Sequence, residues 1–130
     1  MRKERTLRIS ISIALALVPA LLPVAVQANH RPNLYCSESG DVCLTTAKDD
    51  GVRKLRIGLA AKYFQRYRLC VVAPNDSRTC KSFDIERHGD VYGDSVRWSR
   101  HFPNEGSGAY TVIWKNSGER IGKKLGFHVS

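Results

Sequence analysis

The chain has 130 residues, of which 42% are hydrophobic and 25% charged, and a formal net charge of +9 at pH 7. This length suits one domain with a single core and excludes a second domain of ordinary size. The excess of positive charge points to anionic partners.

The chain begins with the features of a secretory signal peptide. An apolar run from Ile9 to Val26 ends in Val26-Gln27-Ala28, which carries small residues where a signal peptidase cuts. We expect residues 1–28 to be removed and residues 29–130 to form one secreted domain. The alternative, an uncleaved anchor, would use an 18-residue run, slightly shorter than the roughly 20 residues of a spanning helix. The basic residues before the run are Arg2, Lys3, Arg5 and Arg8.

Cleavage would lower the net charge. Four of the 21 basic residues and one of the 12 acidic residues precede the predicted cut, so the charge falls from +9 to +6. A third of the positive charge therefore belongs to targeting and not to partner binding.

All four cysteines lie in the predicted mature domain. An even number of cysteines in a small exported domain predicts two disulfides, for which three pairings are possible. The spacings favour Cys36–Cys43 and Cys70–Cys80, because each pair closes a short loop. Zinc binding would need closer Cys-x-x-Cys pairs, which the sequence lacks.

Short runs with a period of two residues follow, separated by turn residues. Asn33 to Thr46 predicts a hairpin that carries the first cysteine pair, and Ala60 to Arg66 permits one short helical turn. The apolar faces of the later strands are Leu55/Ile57/Leu59, Tyr67/Leu69/Val71, Phe83/Ile85, Val96/Trp98, Tyr110/Val112/Trp114 and Leu125/Phe127/Val129.

This pattern predicts an all-β fold. About seven strands, with turns every ~8–12 residues, are typical of an immunoglobulin-like antiparallel β-sandwich. A small β-barrel, such as an OB-fold, is the alternative. Cys70 and Cys80 lie on the parity opposite to the apolar residues of their own strands, so their bridge should lie on the outer face of a hairpin.

Two parts of the chain carry a resemblance to known proteins. The final hairpin resembles the last hairpin of many bacterial immunoglobulin-like domains. It consists of the strand Gly108 to Trp114, a glycine turn and the strand Leu125 to Val129. With the runs Gly51 to Phe64 and Tyr67 to Val71, the whole mature chain also resembles small secreted proteins of actinobacteria that have no assigned activity. The resemblance implies an exported β-sandwich. True immunoglobulin domains differ, because one of their bridges crosses between the sheets.

A narrower resemblance covers only the final hairpin. Bacterial copper-binding proteins of the CopC type end in a similar Tyr-Thr-Val-x-Trp hairpin, with an Asp-Gly-His between the strands where this chain has Asn116 to Arg120. Their mature chain begins with a ligand histidine, and His30 would be the second mature residue here. The resemblance therefore implies copper binding by the amino terminus and His30. A solvated tail is the alternative.

The candidates for catalysis are scattered. Small secreted ribonucleases need two acid–base groups and a cation. The candidates for the acid–base groups are Glu86 and either His88 or His101, and the candidate for the cation is Arg87 or Lys124. Consecutive strand residues alternate faces, however, so Glu86, Arg87 and His88 cannot converge from one strand. The sequence also lacks the Gly-x-Ser-x-Gly and His-Glu-x-x-His motifs. A secreted hydrolase is therefore the alternative to a binding function.

The remaining functional signal is a set of basic residues on the outward parity of the strands. If several share one sheet, they form a face that attracts acidic glycans, wall polymers, anionic lipid or nucleic acid. A surface charged for solubility is the alternative. We expect a secreted, non-enzymatic binding module without a cofactor, whose partner is an anionic polymer or a protein outside the cytoplasm. The candidate face consists of Lys54, Arg56, Arg68, Arg97, Lys115 and Lys124.

Overall fold

A computed structural model describes residues 31–130, which form ten strands and one short helix. The predicted signal peptide, its cleavage site and His30 lie outside the described residues. The strands are β1 (Leu34–Cys36), β2 (Val42–Thr45), β3 (Lys48–Asp49), β4 (Val52–Leu59), β5 (Arg66–Val72), β6 (Arg78–Asp84), β7 (Glu86–His88), β8 (Val91–Arg97), β9 (Gly108–Asn116) and β10 (Glu119–Val129), and the helix is α1 (Trp98–His101).

The strands form two antiparallel sheets that pack face to face. The first sheet has the order β1-β2-β4-β8-β7, with β3 paired to β4, and the second has the order β10-β9-β5-β6. No strand pair joins the two sheets within residues 31–130. The predicted sandwich is therefore confirmed, and the alternative of a closed barrel is wrong. The strands number ten and not about seven because β3 and β7 are short additional strands beside turns.

One face of each long strand lies in the shared core, as the alternation predicts. Leu55 of β4, Leu69 of β5, Trp114 of β9 and Leu125 of β10 are all 0% exposed. The other predicted inward residues are buried, except Phe83 and Val129, which are partly buried against the core. Burial of each large apolar side chain contributes about 1.5–3 kcal/mol, so this single core is the main source of stability.

Two local predictions differ from the structure. The stretch before β5 is irregular and crosses from the first sheet to the second, so the predicted helical turn at Ala60 to Arg66 is wrong. The crossing is fixed where the Gln65 carbonyl accepts a hydrogen bond from the Ile85 N–H over 2.9 Å. Trp98 opens α1 and is not part of β8. Its side chain is nevertheless buried, as predicted.

Both predicted disulfides are present. Cys36 lies directly opposite Cys43, and Cys70 directly opposite Cys80, with Cα–Cα distances of 4.1 Å in each pair. Each bridge therefore lies within one sheet. Cys70 lies on the outward side, as predicted, yet it is only 1% exposed, and its cross-strand neighbour Ile113 is also buried.

The two bridges indicate an oxidising environment, because structural disulfides persist outside the reducing cytosol. All four cysteines of the chain take part in them. Within residues 31–130, no helix has the length and apolar character needed to cross a membrane.

Candidate functional site

The turn between β9 and β10 aligns two basic residues. Ser117 and Gly118 have φ values of 50° and 80°, as the two-residue turns of tight hairpins require. This turn places Asn116 opposite Glu119 and, one step further, Lys115 opposite Arg120. The two basic residues are therefore direct cross-strand neighbours.

A third basic residue continues this line on β5. Arg68 lies directly opposite Lys115 in the pairing of β5 with β9. Leu69 follows Arg68 on β5, Trp114 precedes Lys115 on β9, and both are fully buried. Because side chains alternate along a strand, Arg68 and Lys115 point away from the core. With neighbouring strands about 4.8 Å apart, Arg68, Lys115 and Arg120 form a row roughly 10 Å long on the outer side of the second sheet. We call these three residues the basic row.

Further cations lie around the basic row on the same side of the sheet. Arg66 on β5 and Arg78 on β6 occupy outward strand positions. Lys124 precedes the buried Leu125 and so takes the outward position on β10. Before β1, the Arg31 Nε donates to the Thr111 hydroxyl on this side over 3.2 Å. We call the whole set the basic face: Arg31, Arg66, Arg68, Arg78, Lys115, Arg120 and Lys124.

Little negative charge opposes the basic face. Asp84 occupies an outward position on β6 and pairs with Arg66, with an N–O distance of 3.0 Å. Within residues 31–130, no ion pair involves a member of the basic row. Like charges on adjacent strands repel and cost a few tenths of a kcal/mol or more per pair. An anion lying across the row would remove that cost.

The structure does not bring the six predicted candidates together. Half of them, Arg68, Lys115 and Lys124, lie on the basic face. The other half lie on the outer side of the first sheet, since β4 and β8 belong to that sheet. There Lys54 lies opposite Arg97, two residue pairs away from Arg56. The single face predicted from the six residues is therefore corrected to two faces on opposite sides of the sandwich.

The cations on the first sheet are partly neutralised. The Asp49 carboxylate accepts a hydrogen bond from Lys54 over 2.9 Å and another from Arg56 over 2.7 Å. The hydrogen bond from Lys54, and to a smaller extent that from Arg56, holds the pKa of Asp49 below its usual value. Arg97 is the remaining basic candidate on this side without an ion pair among the described residues. The basic face of the second sheet is therefore the stronger site for an anion.

Several members of the basic face were missed by the sequence reasoning. Arg66 fell in the stretch assigned to a helical turn, and Arg31 and Arg78 lie outside the predicted strand cores. Arg120 lies between the predicted turn and the predicted last strand, although Asn116-Ser117-Gly118-Glu119 is a signal for a two-residue hairpin. Counting outward from that turn would have placed Arg120 opposite Lys115.

The catalytic candidates do not form one cluster. Glu86 and His88 share one side of β7, whereas Arg87 alternates to the other, and its Nε donates to the Gly89 carbonyl over 2.9 Å. His101 lies on α1, where its ring meets the Phe83 ring edge-on at 5.2 Å. Among residues 31–130, no group of three or more His, Cys, Asp or Glu side chains is arranged to hold a metal ion.

A hydrogen bond between side chains joins the two sheets. The Tyr67 hydroxyl on β5 donates to the Asp94 carboxylate on β8 over 2.8 Å. Burial raises the pKa of Asp94, and the hydrogen bond from Tyr67 opposes this increase only in part. Burial also raises the pKa of Tyr67, so the phenol keeps its proton and remains the donor. Glu86 and His88 are the charged neighbours of Asp94, and they act on its pKa in opposite directions.

We expect Asp94→Asn to stabilise the protein more at neutral pH than at about pH 3. The folded-state pKa of Asp94 lies above the usual 3.8. The wild-type protein therefore loses stability as the pH rises through that folded-state pKa and the buried carboxyl group ionises. The asparagine amide stays neutral and can still accept the Tyr67 hydrogen bond. Urea unfolding at both pH values measures the change, with Asp90→Asn in the exposed β7–β8 turn as the control for lost charge. An equal gain at both pH values would contradict the prediction.

Comparison with known proteins yields no relative. No protein-family model, no curated protein and no solved structure matches the chain. Function is therefore inferred from the geometry and charge of the described residues.

Proposed function

We propose that the chain is a secreted, non-enzymatic binding module whose basic face holds an anionic polymer of a cell surface or cell wall. The basic row carries this proposal. Its three cations are aligned across adjacent strands, and none of them has an ion-pair partner among the described residues. A polymer that presents repeated negative charges would meet all three at once.

The chemistry of the row suits carboxylate, sulfate or phosphate groups. Two of its members are arginines, whose guanidinium groups can donate two parallel hydrogen bonds to such oxyanions. Binding a polyanion also releases the counterions condensed on it, so affinity depends on the number of cations in contact and falls steeply as salt rises. A row backed by Arg66, Arg78 and Lys124 supplies several such contacts.

The sheet holds these cations in place before the ligand arrives. The Cys70–Cys80 bridge joins β5 to β6 two residue pairs away from Arg68 and Ser82. The core-facing neighbours of the row, Leu69 and Trp114, are fully buried. Because the backbone beneath the row is already ordered, binding need order only the ends of the side chains.

The predicted signal peptide and the oxidising environment indicated by the disulfides support a location outside the cytoplasm. Surface and wall polymers are the abundant polyanions that an exported chain would meet there. We therefore choose them over nucleic acid, which becomes a competing ligand in the test.

We expect Arg68→Gln/Lys115→Gln/Arg120→Gln to weaken binding to heparin and to a glycerol-phosphate wall polymer. Each lost contact should reduce the slope of log K against log salt by about 0.7–0.9, so the triple variant should lose roughly 2–3 from that slope. Affinity measured at several salt concentrations, and elution from immobilised heparin, would give both quantities. The far-ultraviolet circular dichroism spectrum should be unchanged, because all three side chains lie on the outer side of the sheet.

The matched control is Arg87→Gln/Arg97→Gln/Arg100→Gln. It removes the same charge from exposed positions on β7, β8 and α1, and it should leave most of the affinity and slope intact. Equal losses in the two variants would show that only net charge matters. If the wild type does not bind either polymer at low salt, or binds RNA far more tightly than both, the proposal is wrong.

A further inference from the structure

One end of the sandwich contains two adjoining cavities that share Arg53 and His128. Their volumes are about 420 Å³ and 530 Å³. They form where the β3–β4 hairpin, the start of α1 and the end of β10 meet. Asp50 and Gly51, with φ values of 49° and 75°, make the tight turn of that hairpin and so bring Arg53 back opposite Lys48. We call the two cavities together the Arg53 cleft.

The charge of the Arg53 cleft is positive. Lys48 lines the first cavity and Arg31 the second, in addition to the shared Arg53 and His128. No Asp or Glu side chain lines either cavity. Ser130 also lines the first cavity. The cleft therefore attracts anions more strongly than cations.

Arg53 is held in a half-buried position without a negative partner. Its Nη1 donates to the Thr46 carbonyl over 2.9 Å, and its guanidinium carbon lies 4.8 Å from the centre of the Phe127 ring. No ion pair among residues 31–130 includes it. Burial lowers the pKa of Arg53, which reflects a charge that has lost water and gained no anion. Within residues 31–130 the fork makes no other side-chain hydrogen bond, so its remaining N–H groups can donate to a ligand.

Trp98 provides an aromatic reporter in the cleft. It lines the first cavity and is only 8% exposed. Its buried indole N–H has no hydrogen-bond partner among the described residues. The buried N–H of Trp114, which lines neither cavity, is also unpaired, so the Trp98 indole serves as a reporter of binding in the cleft and not as a ligand.

We propose that the Arg53 cleft binds a single oxyanion group, a carboxylate or a phosphate, of the anionic polymer that the basic face holds. This inference rests on the proposed function. The cleft is continuous with the basic face, because Arg31 belongs to both and His128 takes an outward position opposite Ala109 on the same side of the sheet. The cleft lies about 20 Å from Arg120 along the strands, because His128 is paired with Ala109, six residues before Lys115 on β9. A polymer that leaves the basic row at Arg120 and runs along the outer side of β10 past Arg31 would therefore reach the cleft.

The test uses small anions and the two tryptophans of the chain. Glucuronate and glycerol phosphate are each titrated into ¹⁵N-labelled protein while the two indole N–H resonances are followed by NMR, with Trp98→Phe used for assignment. We expect the Trp98 resonance to shift until it saturates. The Trp114 resonance should not move, because Trp114 lies about 13 Å further along β9 from Tyr110, the residue on which Trp98 packs. A response to glucuronate alone would identify a carboxylate, and a response to glycerol phosphate alone a phosphate.

Variants separate the cleft from the basic face. Arg53→Gln should weaken small-anion binding about tenfold or more, because a charged hydrogen-bond donor is lost, whereas Arg87→Gln should have no effect. Should Arg53→Gln fail to fold, the more exposed Lys48→Gln tests the same cavity. The triple variant of the basic row should lose heparin binding and still show the Trp98 shift. If wild-type protein binds heparin but shows no Trp98 shift with either anion, or if Arg53→Gln shifts as the wild type does, the cleft proposal fails while the proposed function stands.

Discussion

Trp114→Ala is expected to destabilise the protein by about 3–5 kcal/mol. Trp114 is 0% exposed and lies on β9 between Leu69 of β5 and Ile121 of β10. Truncation leaves a large cavity in the only core of the described domain. Since a domain of this size has a total stability of about 5–15 kcal/mol, a large fraction of the variant should be unfolded at raised temperature. Urea unfolding under non-reducing conditions measures the loss.

A second substitution separates packing from hydrogen bonding at this position. The indole N–H of Trp114 is buried and has no partner among the described residues, so Trp114→Phe loses no hydrogen bond and should cost clearly less than alanine. Tyr63→Ala is the control, because Tyr63 is an aromatic residue that is 55% exposed, and its loss should change stability by no more than about 0.5 kcal/mol. A Trp114→Ala variant as stable as the wild type would mean that the inward face of β9 is wrongly assigned.

Removal of the Cys70–Cys80 bridge is expected to lower stability by about 3 kcal/mol. The bridge closes a loop with a sequence separation of 10, for which the chain-entropy estimate is about 2.7 kcal/mol. A further loss comes from packing, because Cys70 is only 1% exposed. The double variant Cys70→Ala/Cys80→Ala, unfolded in urea beside the wild type, gives the value. The other bridge provides the comparison.

Cys36→Ala/Cys43→Ala should cost less than the first double variant. Its loop is shorter, with a sequence separation of 7, and Cys36 is exposed, so little packing is lost. Both bridges attach an edge strand, β6 to β5 and β1 to β2, so the difference should come from loop length and burial. If the two double variants lost the same stability, burial of Cys70 would contribute nothing.

The strands and the disulfides could be predicted because both depend on local patterns. A strand buried on one side must alternate apolar and polar residues, and this alternation identified Leu55 and Leu59 in β4 and Tyr110 and Trp114 in β9. The same parity placed Cys70 and Cys80 on matching sides of neighbouring strands. Where no alternation exists, as between Ala60 and Gln65, local reasoning assigned a helical turn. The structure instead needs an irregular crossing there between two sheets.

The functional face could be predicted only in part. Parity shows on which side of its own strand Lys54 or Lys115 lies, and both were correctly placed away from the core. Parity does not show which sheet contains each strand. Because β4 and β9 belong to different sheets, two residues with the same local pattern lie on opposite sides of the molecule.

The sequence by itself determined the alternation of the strands, the pairing of nearby cysteines and the excess of positive charge, since each depends on residues close together in the chain. Only the tertiary structure decided how the charges are grouped. The register of β5, β9 and β10 aligned Arg68, Lys115 and Arg120, and Asp49 partly neutralised the cations of the other sheet. The Arg53 cleft likewise joins Arg31, Arg53 and His128, which are far apart in sequence. Strand order and sheet packing arise from burying all apolar faces in one core, a requirement that no local segment contains.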